Sequence, residues 1–169
     1  MLSTLAGDYQ FLGAISAKTI NQPLGSISDA EIQAGAPGNY IEASKVSHKH
    51  IKTFAQDFTT TAVAERRVVH VVHGATATVE QFQCGAAVAA IGGATATIDL
   101  KKNGTTILTG TISLTSATAA FASLFAAGFT STALVAGDVL EIAITAVASG
   151  GGTLALGVFA QVTLYEDPA

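Results

Sequence analysis

The sequence predicts an all-β protein, an antiparallel jelly-roll β-sandwich preceded by a mostly irregular N-terminal arm with one short helix. Three observations predict it. From residue 61 onward the chain is rich in Ala, Val, Thr, Gly, Leu and Ile, with repeated two-residue alternation broken by turn residues. The run Thr97-Ile98-Asp99-Leu100-Lys101-Lys102-Asn103-Gly104-Thr105-Thr106-Ile107-Leu108 carries a hairpin signature. The run from Leu134 to Ile144 places Ala136-Gly137-Asp138 ahead of a strongly alternating strand.

The arm is assigned to residues 1–60 and the sandwich to residues 61–169. In the arm, Leu5 to Ile20 is mixed and suits short strands or an extended path. Gln22-Pro23-Leu24-Gly25 reads as a turn. Ser28-Asp29-Ala30-Glu31 matches a capping box, and Gly35 sits where a helix of about two turns would stop. Ala36-Pro37-Gly38-Asn39 is a loop, and residues 41–58 carry only scattered apolar anchors.

In the body, Arg67 to His73 and Thr76 to Gln83 read as strands separated by Gly74-Ala75. Gly85 to Gly93 is a strand end or a loop. Thr95 to Lys102 and Thr105 to Leu114 are strands joined at Asn103-Gly104, because a type I′ turn needs positive φ at both central residues. That register sets Leu100 against Ile107 and Ile98 against Thr109. Ala117 to Gly128 suits a helical face or a loop lining. Leu140, Ile142 and Ile144 share one face of the next strand, with Glu141 and Thr145 on the other. Ser149 to Gly152 is a turn. In the last strand Leu156, Val158, Val162 and Leu164 share a face. Eight strands in two sheets is the natural architecture.

Composition narrows the function classes. Charged residues are 12% of the chain against 49% hydrophobic, which leaves a poorly charged surface that an oligomer or docked partner would cover. A net charge of −4 argues against a surface that tracks nucleic-acid phosphates. Lys45, Lys49 and Lys52 fall together with His48 and His50; the cluster could meet an acidic partner but reads first as a solvated basic stretch. The single Cys84 rules out an intrachain disulfide and is expected as a small, buried or half-buried residue. A signal peptide is not expected, and the longest apolar-leaning run, Ala117 to Phe129, is too short to span a bilayer, which takes about 20 residues.

No residue pattern demands catalysis. His48 and His50 would share a face of an extended segment, whereas His70 and His73 would point to opposite faces, and a metal needs three or four converging ligands. The histidines are therefore expected at the surface or in inter-subunit hydrogen bonds. Asp138 is expected to cap its own turn. Glu65-Arg66-Arg67 reads either as an interface ion-pair cluster or as a solvated charge run. Gly150-Gly151-Gly152 and Gly35-Ala36-Pro37-Gly38 lack the Lys and Ser/Thr of a phosphate loop. No Gly-X-Ser-X-Gly elbow and no catalytic carboxylate pair stands out. The expectation is a protein that is not an enzyme, with no catalytic, cofactor-binding or metal residue and no cofactor.

The order of these parts resembles a known family. Gly25-Ser26-Ile27-Ser28-Asp29-Ala30-Glu31-Ile32-Gln33-Ala34-Gly35-Ala36, with Ile41 and Ser44-Lys45-Val46-Ser47-His48, resembles the N-terminal arm of capsid-associated structural proteins of tailed bacteriophages. The hairpin from Asp99 to Gly104 and the strand from Leu134 to Ile144 resemble the β-sandwich that follows such arms. A Gly-Asp turn ahead of a strand also resembles trimeric jelly rolls of the tumour-necrosis-factor and complement-C1q type. The resemblance covers roughly residues 22–167 and brings no catalytic residues. It implies a homotrimeric decoration, or cement, protein on the virion: made in the host cytoplasm, bound to the major capsid protein outside the phage head, with no nucleic-acid or membrane partner. A fibre or tail module that binds a receptor or glycan is the alternative. A cupin-type enzyme is disfavoured by the His spacing and the few Glu residues.

Overall fold

A computed structural model describes residues 48–167. The short helix expected near Ser28 to Gly35 lies outside the described residues. Ten strands form in chain order: β1 (His48–Ala55), β2 (Glu65–Val71), β3 (Thr76–Val88), β4 (Thr95–Lys102), β5 (Thr105–Thr106), β6 (Ile112–Leu114), β7 (Leu124–Phe125), β8 (Ala133–Val135), β9 (Val139–Val147) and β10 (Leu156–Glu166). Among the described residues there is no helix, and hence none long and apolar enough to cross a membrane.

The strands build two antiparallel sheets. One runs β1-β10-β3, with β7 and β8 both pairing β3; the other runs β2-β9-β4, with β5 and β6 both pairing β4. The first strand therefore pairs with the last and the second with the second-last. The third pairs with the β7/β8 segments and the fourth with the β5/β6 segments. A long antiparallel ribbon rolled so that its successive pairs alternate between two sheets gives this order, and it is the jelly roll expected from the sequence.

The sandwich takes in residues 48–55, which the sequence reading placed in the arm. β1 pairs with β10 along its whole length, from His48 opposite Glu166 to Ala55 opposite Phe159. Its inward positions are His50, Lys52 and Phe54, of which only Phe54 is apolar and fully buried. That polar inner face hid the strand from an apolar-periodicity argument.

The core lies between the sheets. Ile98, Leu100, Leu140 and Ile142 come from one side and Phe82, Val158, Val162 and Leu164 from the other, each almost fully removed from water. Burying each such side chain stabilises the fold by about 1.5–3 kcal/mol.

Two bulges re-aim side chains. Between Thr163 and Leu164 the partner on β3 jumps from Gln81 to Val79, so Glu80 is an extra residue and the inward set passes from Val79 to Phe82. Between Val68 and His70 on β2 the partner on β9 steps only from Glu141 to Leu140, so Val69 is extra.

The hairpin turn has Asn103 at φ 50° and Gly104 at φ 83°, as a type I′ turn requires. Its expected register holds as far as Leu100, whose carbonyl accepts the Ile107 N–H at 3.0 Å, and then breaks. Lys101 faces Thr106, but Ile98 faces Ile112, not Thr109. The segment between β5 and β6 leaves β4, and Leu108 instead bridges Phe129. Ala117 to Gly128 is loop with the short β7, not a helix.

Candidate functional site

β1 and β2 are the outer strands of their sheets on the same side of the sandwich, and polar side chains fill the gap between them. An open cleft of about 470 Å³ there is lined by His50, Lys52, His70, His73 and Glu166, with three valines of β2. Glu166 reaches it because it is an inward position of β10, continuing the set Val158, Ala160, Val162 and Leu164. His70 reaches it because the extra residue Val69 resets which β2 side chains face inward.

Glu166 is the hub. Its Oε1 accepts the backbone N–H of His73 at 2.6 Å and that of Gly74. Its Oε2 lies 2.8 Å from His70 Nε2 and 3.6 Å from His50 Nε2. The two imidazole rings are 5.4 Å apart between centroids, tilted by 33°. Burial alone would raise the Glu166 pKa. The Gly74 and His73 N–H groups and His70 outweigh it and hold the carboxyl below its ordinary range. Burial lowers the His70 pKa. Glu166 opposes that shift, while the nearby Lys52 and His50 add to it. A neutral imidazole beside an ionised carboxylate, which can only accept, carries its proton on Nε2 and donates it to Glu166.

The sequence reading set His48 with His50 and His70 with His73 as separate pairs. The structure instead joins His50 to His70 across the sheets. It also brings His73, beyond the end of β2, to the same cleft as His70, correcting the expectation of opposite faces. Only the pairing of β1 with β10 and the packing of β2 from the other sheet against them create this cluster, so spacing along the chain could not reveal it. Among the described residues no group of three or more His, Cys, Asp or Glu side chains is arranged to hold a metal ion.

Asp138 caps its turn as expected, accepting the Val135 N–H at 2.9 Å on Oδ2. Its Oδ1 also accepts from Asn103 Nδ2 at 2.6 Å, and Lys102 Nζ lies 3.3 Å from Oδ2. Asn103 Oδ1 in turn accepts the Val139 N–H at 2.9 Å. The two turns that mark the sequence as β thus lock onto each other.

The remaining candidates are structural. Arg66 donates to Glu141 through Nε at 2.9 Å and again through its terminal nitrogen, while Arg67 pairs with Glu65 at 2.5 Å. The charge run therefore forms ion pairs within the chain, each worth little at an exposed position. Lys49 pairs with Glu80 at 3.0 Å on the outer face of its sheet, whereas Lys52 lines the cleft, so the basic cluster divides across β1; Lys45 lies outside the described residues. Gly150 and Gly151 are a turn, with φ of 57° and 72°. Cys84 is fully buried, and burial pushes its thiol up to about 12. Among the described residues every buried side-chain nitrogen and oxygen has a hydrogen-bond partner.

Fold and site together define a jelly-roll module whose buried polar groups hold its own strands. No protein-family model matches the chain, and a search of curated proteins finds no match. Among solved structures it is similar to dimeric latent PorU from Porphyromonas gingivalis, with 16% identity and a TM-score of 0.36 over 72% of this chain and 13% of that one. It is also similar to the Gt strain of infectious bursal disease virus, with 13% identity and a TM-score of 0.24 over 73% of this chain and 38% of that one. The chain spans well under half the length of either, and likenesses this distant assign no function.

Proposed function

We propose that this chain is a virion structural protein, a decoration or cement protein that attaches to the outside of a tailed-phage head as a homotrimer. The observation that carries the reading is the order of parts. The segment from Gly25 to His48, which resembles capsid-docking arms, leads directly into β1, the outermost strand of a jelly roll. Two further features support it. The chain is poor in charge, and β1 and β2, which end their sheets among the described residues, present edges that an assembly would cover.

The action on this reading is mechanical. A protein seated across junctions between capsomers adds buried area to a shell under pressure from its packaged genome. Specific, stable attachment takes about 1,000 Å² or more of interface. The major capsid protein is the partner, and the arm is the segment that docks. The test is to mix the purified full-length chain with genome-free heads of the phage that encodes it. Co-sedimentation, a trimeric mass in solution and heads more resistant to heat are expected; a monomer with no affinity for heads would sink the reading.

A further inference from the structure

The Asn103-Gly104 turn joins two chemical demands in one dipeptide. A type I′ turn takes positive φ at both central residues, and Asn103 and Gly104 supply it at 50° and 83°. The same pair is labile. Gly104 has no Cβ to shield its peptide nitrogen, so that nitrogen can attack the amide carbon of the Asn103 side chain. The bond from Gly104 N to Asn103 Cγ forms, the Cγ–Nδ2 bond breaks, and Nδ2 leaves as ammonia with the proton from Gly104 N. Water then opens the cyclic imide, to an aspartyl residue or to an isoaspartyl residue whose main chain runs through Cγ. The other asparagines, Asn21 and Asn39, precede Gln22 and Tyr40, whose side chains hinder the attack.

The fold ties that amide down. Asn103 Nδ2 donates to Asp138 Oδ1 at 2.6 Å, and Asn103 Oδ1 accepts the Val139 N–H at 2.9 Å. The Asn103 N–H donates to Val139 O at 2.9 Å, so main chain and side chain are held by the same two residues. Asp138 is itself fixed. It is buried, its Oδ2 accepts the Val135 N–H at 2.9 Å, and Lys102 Nζ lies 3.3 Å from that oxygen. The Val135 N–H and the Asn103 amide hold its carboxyl below the ordinary range, which keeps it an ionised acceptor. Cyclisation turns the amide carbon onto Gly104 N, and both side-chain bonds resist that turn.

We propose that Asn103 is a site of self-modification by deamidation, latched shut by Asp138 and Val139 and opened when the β4–β5 turn parts locally from the β8–β9 turn. Local partings at strand ends cost less than global unfolding, so the folded chain reacts through them. The step is irreversible for the fold. An ionised aspartyl side chain has no N–H to give Asp138, and it sets one carboxylate against another where a hydrogen bond stood. An isoaspartyl residue lengthens the main chain by one carbon inside the turn and displaces the pairs of Lys101 with Thr106 and Lys102 with Thr105. Either product frees both turns and loosens the end of the β4–β9 ladder, where Lys102 faces Leu140.

The test is the rate at which Asn103 exchanges its amide for a carboxyl, followed by peptide mass mapping of the full-length chain at mildly alkaline pH. Wild type and Asp138→Ala are compared in buffer, in low urea and in fully denaturing urea. Expected for wild type is a rate in buffer at least about tenfold below that of the unfolded chain. In denaturing urea Asn103 reacts before Asn21 and Asn39, and the two proteins react alike. In buffer Asp138→Ala reacts at least about fivefold faster than wild type, the effect of losing a buried acceptor. Low urea leaves its rate nearly unchanged, since the opening is local. A wild type that reacts as fast folded as unfolded overturns the latch, as does a folded Asp138→Ala no faster than wild type. Wild-type rates alone decide the latch if Asp138→Ala does not fold. A rate that climbs with urea as steeply as global unfolding overturns the local route. Asn103→Asp stands for the aspartyl product and is expected to melt below wild type. Adding Asp138→Asn exchanges donor and acceptor across the same contact and restores part of the loss. An Asn103→Asp chain as stable as wild type overturns the irreversibility.

Discussion

Asp138 and Asn103 show at the scale of single residues what a turn signal becomes in the fold. Each meets the local need of its own turn and then satisfies the other turn across the sheet. Asp138→Ala leaves the Val135 N–H and the Asn103 amide short of an acceptor, so a loss of about 1–3 kcal/mol in urea unfolding is expected. A cycle with Asn103→Ala should show a coupling of about 0.5 kcal/mol or more, because the two share one network. The Glu166 hub predicts a pH dependence. His70 and Glu166 are both held below their ordinary values, 6.5 and 4.5, so both bind protons more readily in the unfolded chain. Their stabilisation is therefore full above pH 6.5 and is lost on acidification, first as His70 charges and further below pH 4.5. His70→Gln keeps a donor for Glu166 but cannot titrate, so its melting temperature should fall less than wild type's between pH 7 and 5. Cys84, with its thiol pushed up to about 12 inside the core, should react with a thiol reagent only after denaturant is added.

At the scale of elements, strand ends matter as much as strand interiors. The β2–β3 turn passes so close to the end of β10 that a Cβ at Gly74 would sit 1.8 Å from Asp167 O. The same Gly74 N–H binds Glu166. Gly74→Ala therefore forces the turn away and weakens the hub, and a loss of more than about 1 kcal/mol in denaturant unfolding is expected. The bulges at Glu80 and Val69 have the opposite character. They leave pairing intact on either side but exchange faces, which is why Val68 and Val71 are exposed while His70 turns inward.

At the scale of the whole molecule, connectivity sets behaviour. The first described strand pairs with the last, and nearly every ladder joins segments far apart in the chain. Such non-local topology makes folding slow, so refolding after dilution from urea should take milliseconds to seconds, resolved by stopped-flow fluorescence of the Tyr residues.

Much of this was legible from the chain alone. The all-β class, the Asn103-Gly104 turn, the capping role of Asp138, the inward face of Leu140, Ile142 and Ile144 and the alternation of the last strand follow from local rules: positive φ, short-range hydrogen bonds and a two-residue period. Other features were settled only by the tertiary structure. These are β1 with its polar inner face, the three-residue slip that sets Ile98 against Ile112, and the meeting of His50, His70 and Glu166. The physical reason is common to all three. A strand's register and its neighbours are fixed by packing against distant segments, and a bulge that reverses a face leaves no mark in composition or spacing. The sequence by itself determined which residues turn and which alternate; tertiary pairing decided which side chains meet.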